Sequence, residues 1–265
     1  VNAEECEYLV IEDAFPAGKP PIDKGGIIFT DRATVDQVEK MKVCTCLNPL
    51  HTTLAIYGCL LGYTLIADEM KNPLLKKFVE TVGYVEGLPV VVDPGIIRPK
   101  DFIDAVVNVR IPNPFMPDTP QRIACDTSQK LSIRFGETIK GYLARADLNV
   151  ADLKVIPLVF ALWLRYLMAI GDDGNSFELS PDPLLEECKK YVEGYTVVLT
   201  GSTSDKIGST TGGTGSITAN LEPLLHRKEI FGVDLFEAGL AESVKEYFAK
   251  LIVGKGAVRK VLQSL

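Results

Sequence analysis

A lysine, an amide and an imidazole fall within ten residues of one another, as Lys42, Asn48 and His51. These types suit proton transfer at an alcohol or carbonyl. An Asn amide and a neutral His donate hydrogen bonds to a developing oxyanion. A lysine drawn into a dry site has its pKa lowered from about 10.4 and can then serve as a general base. His51 is expected in the first turn of a helix, where the helix dipole disfavours a positive ring. The same residues also read without chemistry, as a helix cap, a satisfied first-turn histidine and a solvated lysine.

Arg122 and Lys130 form a second group, eight residues apart. That spacing does not make them neighbours on one helical face. A turn near Asp126 to Ser128 is expected to put one on a loop and the other on the following helix. Two cations turned into one cleft repel, and a ligand carboxylate would relieve them, with Arg122 binding it bidentately. The alternative is a surface loop whose charges balance Asp118 and Asp126.

The elements that must carry these groups are mostly helices. Asn48-Pro49 is a strong helix start, with Asn as N-cap and Pro in the first turn. The helix it opens is expected to reach about Lys71 and is apolar nearly all round, which implies burial on most faces. Further helices are expected at Val35–Lys42, Pro73–Tyr84, Pro99–Val109, Ser128–Arg145, Val155–Ile170, Pro183–Tyr191, Leu240–Ile252 and Gly256–Leu265. Strands are few, at Tyr8–Ile11, Gly25–Thr30, Pro89–Asp93 and Tyr195–Thr200. Residues 201–218, rich in Gly, Ser and Thr, read as a loop. The fold class is mainly α, unlike the alternating βαβ of a nucleotide-binding sheet.

Length and composition narrow the function. The 265 residues are 46% hydrophobic and 24% charged, which fits a soluble globular chain. A net charge of −7 argues against nucleic-acid binding. The apolar run at Val155–Ile170 is broken by Arg165 and too short for a membrane span. Six scattered cysteines read as buried thiols in a reducing cytoplasm. With only His51 and His226, no standard zinc site can be written. His226, near a helix end, reads as a C-terminal cap. Gly213-Thr214-Gly215 lacks the third glycine of a dinucleotide fingerprint, and no P-loop occurs.

The order of motifs resembles the mannitol dehydrogenase family of polyol-specific long-chain dehydrogenases/reductases. The resemblance runs through Val10-Ile11-Glu12-Asp13-x-Phe15-Pro16-Ala17-Gly18-Lys19-Pro20, Glu39-x-Met41-Lys42 and Asn48-x-x-His51. It continues through Asn113-Pro114, Arg122-Ile123-Ala124-x-Asp126-x-Ser128-x-Lys130 and Ile230-Phe231-Gly232-Val233-Asp234-Leu235. It implies that this chain is the multi-helical C-terminal substrate domain, normally paired with an N-terminal Rossmann domain that is absent here. Residues 1–34 are then the linker and short strands, and 35–265 the helical domain.

It further implies Lys42 as general base, Asn48 and His51 on the reacting oxygen, Arg122 and Lys130 on the sugar, and Glu39 as a candidate proton relay. Lys42 precedes Asn48 by six residues where the family has five, so a helical bulge is expected between them. The implied activity is that of a cytoplasmic NAD-dependent oxidoreductase without a metal. Its implied reaction interconverts a keto-hexuronate and an aldonate of the fructuronate/mannonate type. NADP is the other candidate cofactor, mannitol or arabinitol 2-dehydrogenase is the other candidate enzyme, and a non-catalytic helical interaction module is the reading of another class. The substrate is a small sugar acid or polyol, with neither nucleic acid nor membrane as partner.

Overall fold

Helix α2, Asn48–Leu61, is the apolar helix anticipated above, and Pro49 to Leu60 are all buried. Its interior threonines return their hydroxyls to the preceding turn, Thr52 Oγ1 to the Asn48 carbonyl at 2.9 Å and Thr53 Oγ1 to that of Pro49 at 2.8 Å. Polar groups are thereby satisfied inside a buried helix. Two boundaries differ from expectation. Leu47, not Asn48, occupies the N-cap position, and Asn48 is already helical. The helix stops at Gly62, whose φ of 78° supplies the left-handed turn, and a separate short helix α3 follows at Ile66–Glu69.

The computed structural model of the chain describes residues 9–197 and 220–265. A small parallel pair, β1 (Val10–Glu12) and β2 (Ile28–Thr30), pairs Val10 with Ile28 and packs on α1, Arg32–Met41. Then come α4 (Pro73–Glu80), α5 (Pro99–Ala105), α6 (Pro120–Ile123), α7 (Thr127–Leu131) and α8 (Glu137–Leu143). After them lie α9 (Val155–Leu167), α10 (Leu185–Val192), α11 (Glu222–Leu225), α12 (Lys228–Phe231), α13 (Ala241–Leu251) and α14 (Ala257–Gln263). Pro89–Asp93 is not a strand; Pro89 sits in a 3₁₀ turn, Leu88–Val90, where its fixed φ suits the turn and its missing N–H costs nothing. The expected strand at Tyr195–Thr200 lies partly, and the glycine-rich loop 201–218 wholly, outside the described residues.

Helix α9 is the centre of the core. All its residues are buried, and it packs against α13, α2 and α10. Phe160 meets Phe231 at 4.9 Å between ring centroids and Phe135 at 5.9 Å. Each such side chain contributes about 1.5–3 kcal/mol through burial. The α9 N-terminus is held by Glu86, which accepts from the amides of Lys154, Val155 and Ile156 at 2.7, 2.7 and 2.9 Å. No helix among the described residues is long and apolar enough to cross a membrane.

Several helices are interrupted by π-turns, each admitting one extra residue into the hydrogen-bond ladder. They lie at Lys42–Cys46, Thr81–Gly87, Val106–Arg110 and Ser132–Gly136. The last joins α7 to α8 and packs on the first. Close approach is secured by glycines. A Cβ on Gly58 would strike Glu69 and Pro120, and one on Gly136 would strike the Phe231–Gly232 backbone.

Candidate functional site

Lys42 opens the π-turn Lys42–Cys46, so the extra residue between Lys42 and Asn48 is absorbed as a helical bulge. Lys42 is half-buried and, among the described residues, its amine makes no hydrogen bond or ion pair. The turn leads through Leu47 into α2, whose first turn carries Asn48 and His51, and the His51 amide bonds the Leu47 carbonyl at 3.2 Å. Glu39, one turn before Lys42 on α1, is exposed. No direct bond links Lys42 or Glu39 to His51.

His51 is 6% exposed. Its Nε2 lies 3.5 Å from Arg110 Nη1 and 3.8 Å from Asp118 Oδ2. Burial first, and then the positive field of Arg110, push its pKa down to about 4, with Arg134 and Arg122 adding and Asp118 opposing. The ring is therefore neutral at neutral pH. Arginine can only donate, so the Arg110 approach favours the tautomer with its proton on Nδ1.

Arg122, on α6, is largely exposed, and its guanidinium is already paired with Asp118 one helical turn back. Lys130, on α7, turns its ammonium onto the carbonyls of Cys125 and, at 3.4 Å, Ile123. Burial, and next the charge of Arg134, lower its pKa. The turn between the two cations is where it was expected. Asp126 takes the left-handed region at φ 53°, and Asp182 caps α7 by accepting the Ser128 amide at 2.7 Å. Arg122 and Lys130 thus meet protein groups first, which answers the repulsion foreseen between them.

Three residues escaped the sequence reading in their site role: Arg110, Arg134 and Asp118. Arg110 ends one π-turn and Arg134 lies inside another, so among the described residues three of four π-turns carry Lys42, Arg110 or Arg134. Such turns are frequent at functional sites. The available signal was the surplus residue after Lys42; nothing comparable marks the other two arginines. His226, the other histidine, caps α11, with Nδ1 2.8 Å from Asp234 and its ring stacked on Phe236.

Comparison with known proteins places the domain. Residues 34–201 match the mannitol dehydrogenase C-terminal domain. The chain is 54% identical over its whole length to a D-mannonate oxidoreductase of Thermotoga maritima, of which it covers 47%. It is 30% identical over 86% of its length to the D-mannonate oxidoreductase of Escherichia coli, covering 46% of that protein. A mannitol 2-dehydrogenase of Pyricularia oryzae is 32% identical over 73% of the chain and is covered to 37%. The structure of Pseudomonas fluorescens mannitol 2-dehydrogenase, a ternary complex with NAD and D-mannitol, superposes with a TM-score of 0.74 at 25% identity, over 96% of this chain and 45% of that one. The chain spans less than half the length of the relatives it matches. With a domain match over residues 34–201 and these relatives, the chain belongs to the mannitol dehydrogenase family, as a representative of its helical C-terminal domain.

Proposed function

We propose that the chain is the substrate-binding half of an NAD-dependent oxidoreductase that interconverts a keto-hexuronate and an aldonate, fructuronate and D-mannonate being the best pair. The observation that carries this reading is the buried, neutral His51 set among three arginines, at the start of the helix that also bears Asn48. Such a site favours an anionic sugar over a neutral polyol. The 54% identity to a D-mannonate oxidoreductase, against 32% to a mannitol 2-dehydrogenase, supports the same choice.

Lys42, in its amine form, takes the proton from the hydroxyl that becomes the carbonyl, and returns it in the reverse direction. Asn48 and His51 donate to that oxygen and stabilise its partial negative charge. Glu39 passes the proton between Lys42 and solvent. Arg122 and Lys130 orient the remainder of the sugar. This chain holds no glycine-rich fingerprint for a dinucleotide, so we assign NAD to an N-terminal Rossmann domain of the same protein. NAD, when bound there, supplies the hydride acceptor or donor. The free thiols of Cys44, Cys46, Cys59 and Cys188, all buried, support a reducing, cytoplasmic setting.

The test is a steady-state screen of the full-length enzyme on fructuronate, tagaturonate and fructose with NADH. Fructuronate is expected to give the highest kcat/KM. Lys42→Met is expected to lower kcat by about 10²–10⁴-fold with an unchanged melting temperature. Preferred turnover of fructose would replace this reading with that of a polyol dehydrogenase.

A further inference from the structure

Three cations around the site differ in what already occupies them. Arg122 is neutralised by Asp118, and Lys130 spends its ammonium on backbone carbonyls. Arg134 has neither arrangement. Its Nη1 donates to the Thr52 hydroxyl, and among the described residues this is its one protein acceptor. No carboxylate there pairs with it.

Thr52 follows His51 directly, and its own hydroxyl proton goes to the Asn48 carbonyl at 2.9 Å. The hydroxyl therefore anchors one end of the guanidinium on the same helical turn that presents Asn48 and His51. Among the described residues the Nε–H and Nη2–H edge meets no protein acceptor. That edge is the fork which matches the two oxygens of a carboxylate. Arg134 sits inside the π-turn Ser132–Gly136, which packs on the π-turn of Lys42. Its field reaches both His51 and Lys130.

We infer that Arg134 is the carboxylate receptor of this site, the residue that selects a sugar acid over the corresponding neutral polyol. This rests on the sugar-acid reading above and sharpens it. It also moves the bidentate role from Arg122, where the sequence placed it, to an arginine with a free fork. Half-burial strengthens the pairing, since a partly desolvated guanidinium without an anion is costly and a ligand carboxylate offsets that cost.

The experiment uses the full-length enzyme with Arg134→Gln and Arg134→Lys, measured on D-mannonate and D-mannitol with NAD. Arg134→Gln is expected to raise KM for D-mannonate about 10- to 100-fold, the span of a lost charged hydrogen-bond pair, with kcat changed less than about threefold. Its kcat/KM for D-mannitol should hold or rise. Arg134→Lys, which keeps the charge without the fork, should fall between. Melting temperatures of both variants guard against loss of fold. An unmoved KM for D-mannonate overturns the assignment, as does an equal loss on both substrates, which would mean that Arg134 holds shared hydroxyls or the helix itself. A wild-type enzyme that turns over D-mannitol but not D-mannonate overturns the sugar-acid reading and this inference with it.

Discussion

Arg165, in the α9 core, and Arg134, beside the site, show how differently one fold treats the same side chain. Arg165 is 1% exposed and bonded at all three guanidinium nitrogens. Its Nη1 reaches the Ile170 carbonyl at 2.5 Å, Nη2 that of Gly171 at 3.3 Å and Nε that of Leu251 at 3.3 Å. It ties the end of α9 to α13, with each of its three nitrogens on a carbonyl. Arg134 is held at one nitrogen by one hydroxyl. The carboxyls repeat the contrast. Glu86 is filled by three amides of the α9 N-terminus, whereas Glu69, wholly buried against Gly58, has no partner for either oxygen among the described residues. Glu86 and Arg165 have every carboxylate oxygen and guanidinium nitrogen bonded, whereas Glu69 and the outer edge of Arg134 do not, and incomplete bonding is what a ligand or a proton can act on.

Breaking the architectural side should have the largest effect. Arg165→Met takes the Arg165 donors from the carbonyls of Ile170 and Leu251, and from that of Gly171, which keeps the Gly174 amide, and is expected to cost about 3 kcal/mol in urea unfolding. Turnover per folded molecule should stay unchanged. A loss below about 1 kcal/mol would mean that Arg165 is as loosely committed as Arg134, and the contrast would fail.

The site side is sharpened by pH. His51 titrates near 4 in the folded chain against 6.5 for an ordinary histidine, so the unfolded chain binds the extra proton between those values. Its contribution is present above pH 6.5 and is lost as pH falls through 6.5 toward 4. At most about 3.5 kcal/mol is involved, from about 1.4 kcal/mol per pH unit. Unfolding midpoints at pH 7 and pH 4 should therefore differ more in the wild type than in His51→Gln, and equal differences would contradict the neutral, buried ring.

The smallest effect is expected at Glu69. Burial raises its pKa well above the usual carboxylate value, so the folded chain keeps a proton that the unfolded chain releases. Stability from this group is full below pH 4.5 and declines as pH rises. Glu69→Gln should raise stability by about 1 kcal/mol at pH 7 and leave it unchanged near pH 4, as read from melting temperatures. Destabilisation at pH 7 would show that the carboxyl has a partner after all.

Much of this was legible in the chain before it was folded. Helical periodicity placed α1, α2, α4, α5, α9, α13 and α14, because a helix facing a core repeats its apolar residues locally. Asn48-Pro49 marked the start of α2 to within one residue. The surplus residue after Lys42 announced the π-turn. The spacing of Asn48 to His51 and of Arg122 to Lys130, with the motifs around them, pointed to the family. Ends set by non-local packing were not legible. The early stop of α2 at Gly62 and the 3₁₀ turn at Pro89 are examples, since competing local patterns continue past both.

What only the tertiary structure decided is which charges are spent. Arg122 and Lys130 look available in sequence, yet Asp118 and two carbonyls occupy them. Arg110 and Arg134 look like ordinary helix-surface residues, yet π-turns bring them to a histidine 59 residues from the first and to a threonine 82 residues from the second. Periodicity is a property of neighbours along the chain, so a sequence carries it openly. Pairing and desolvation belong to neighbours in space, and they determine which cation remains to meet a substrate.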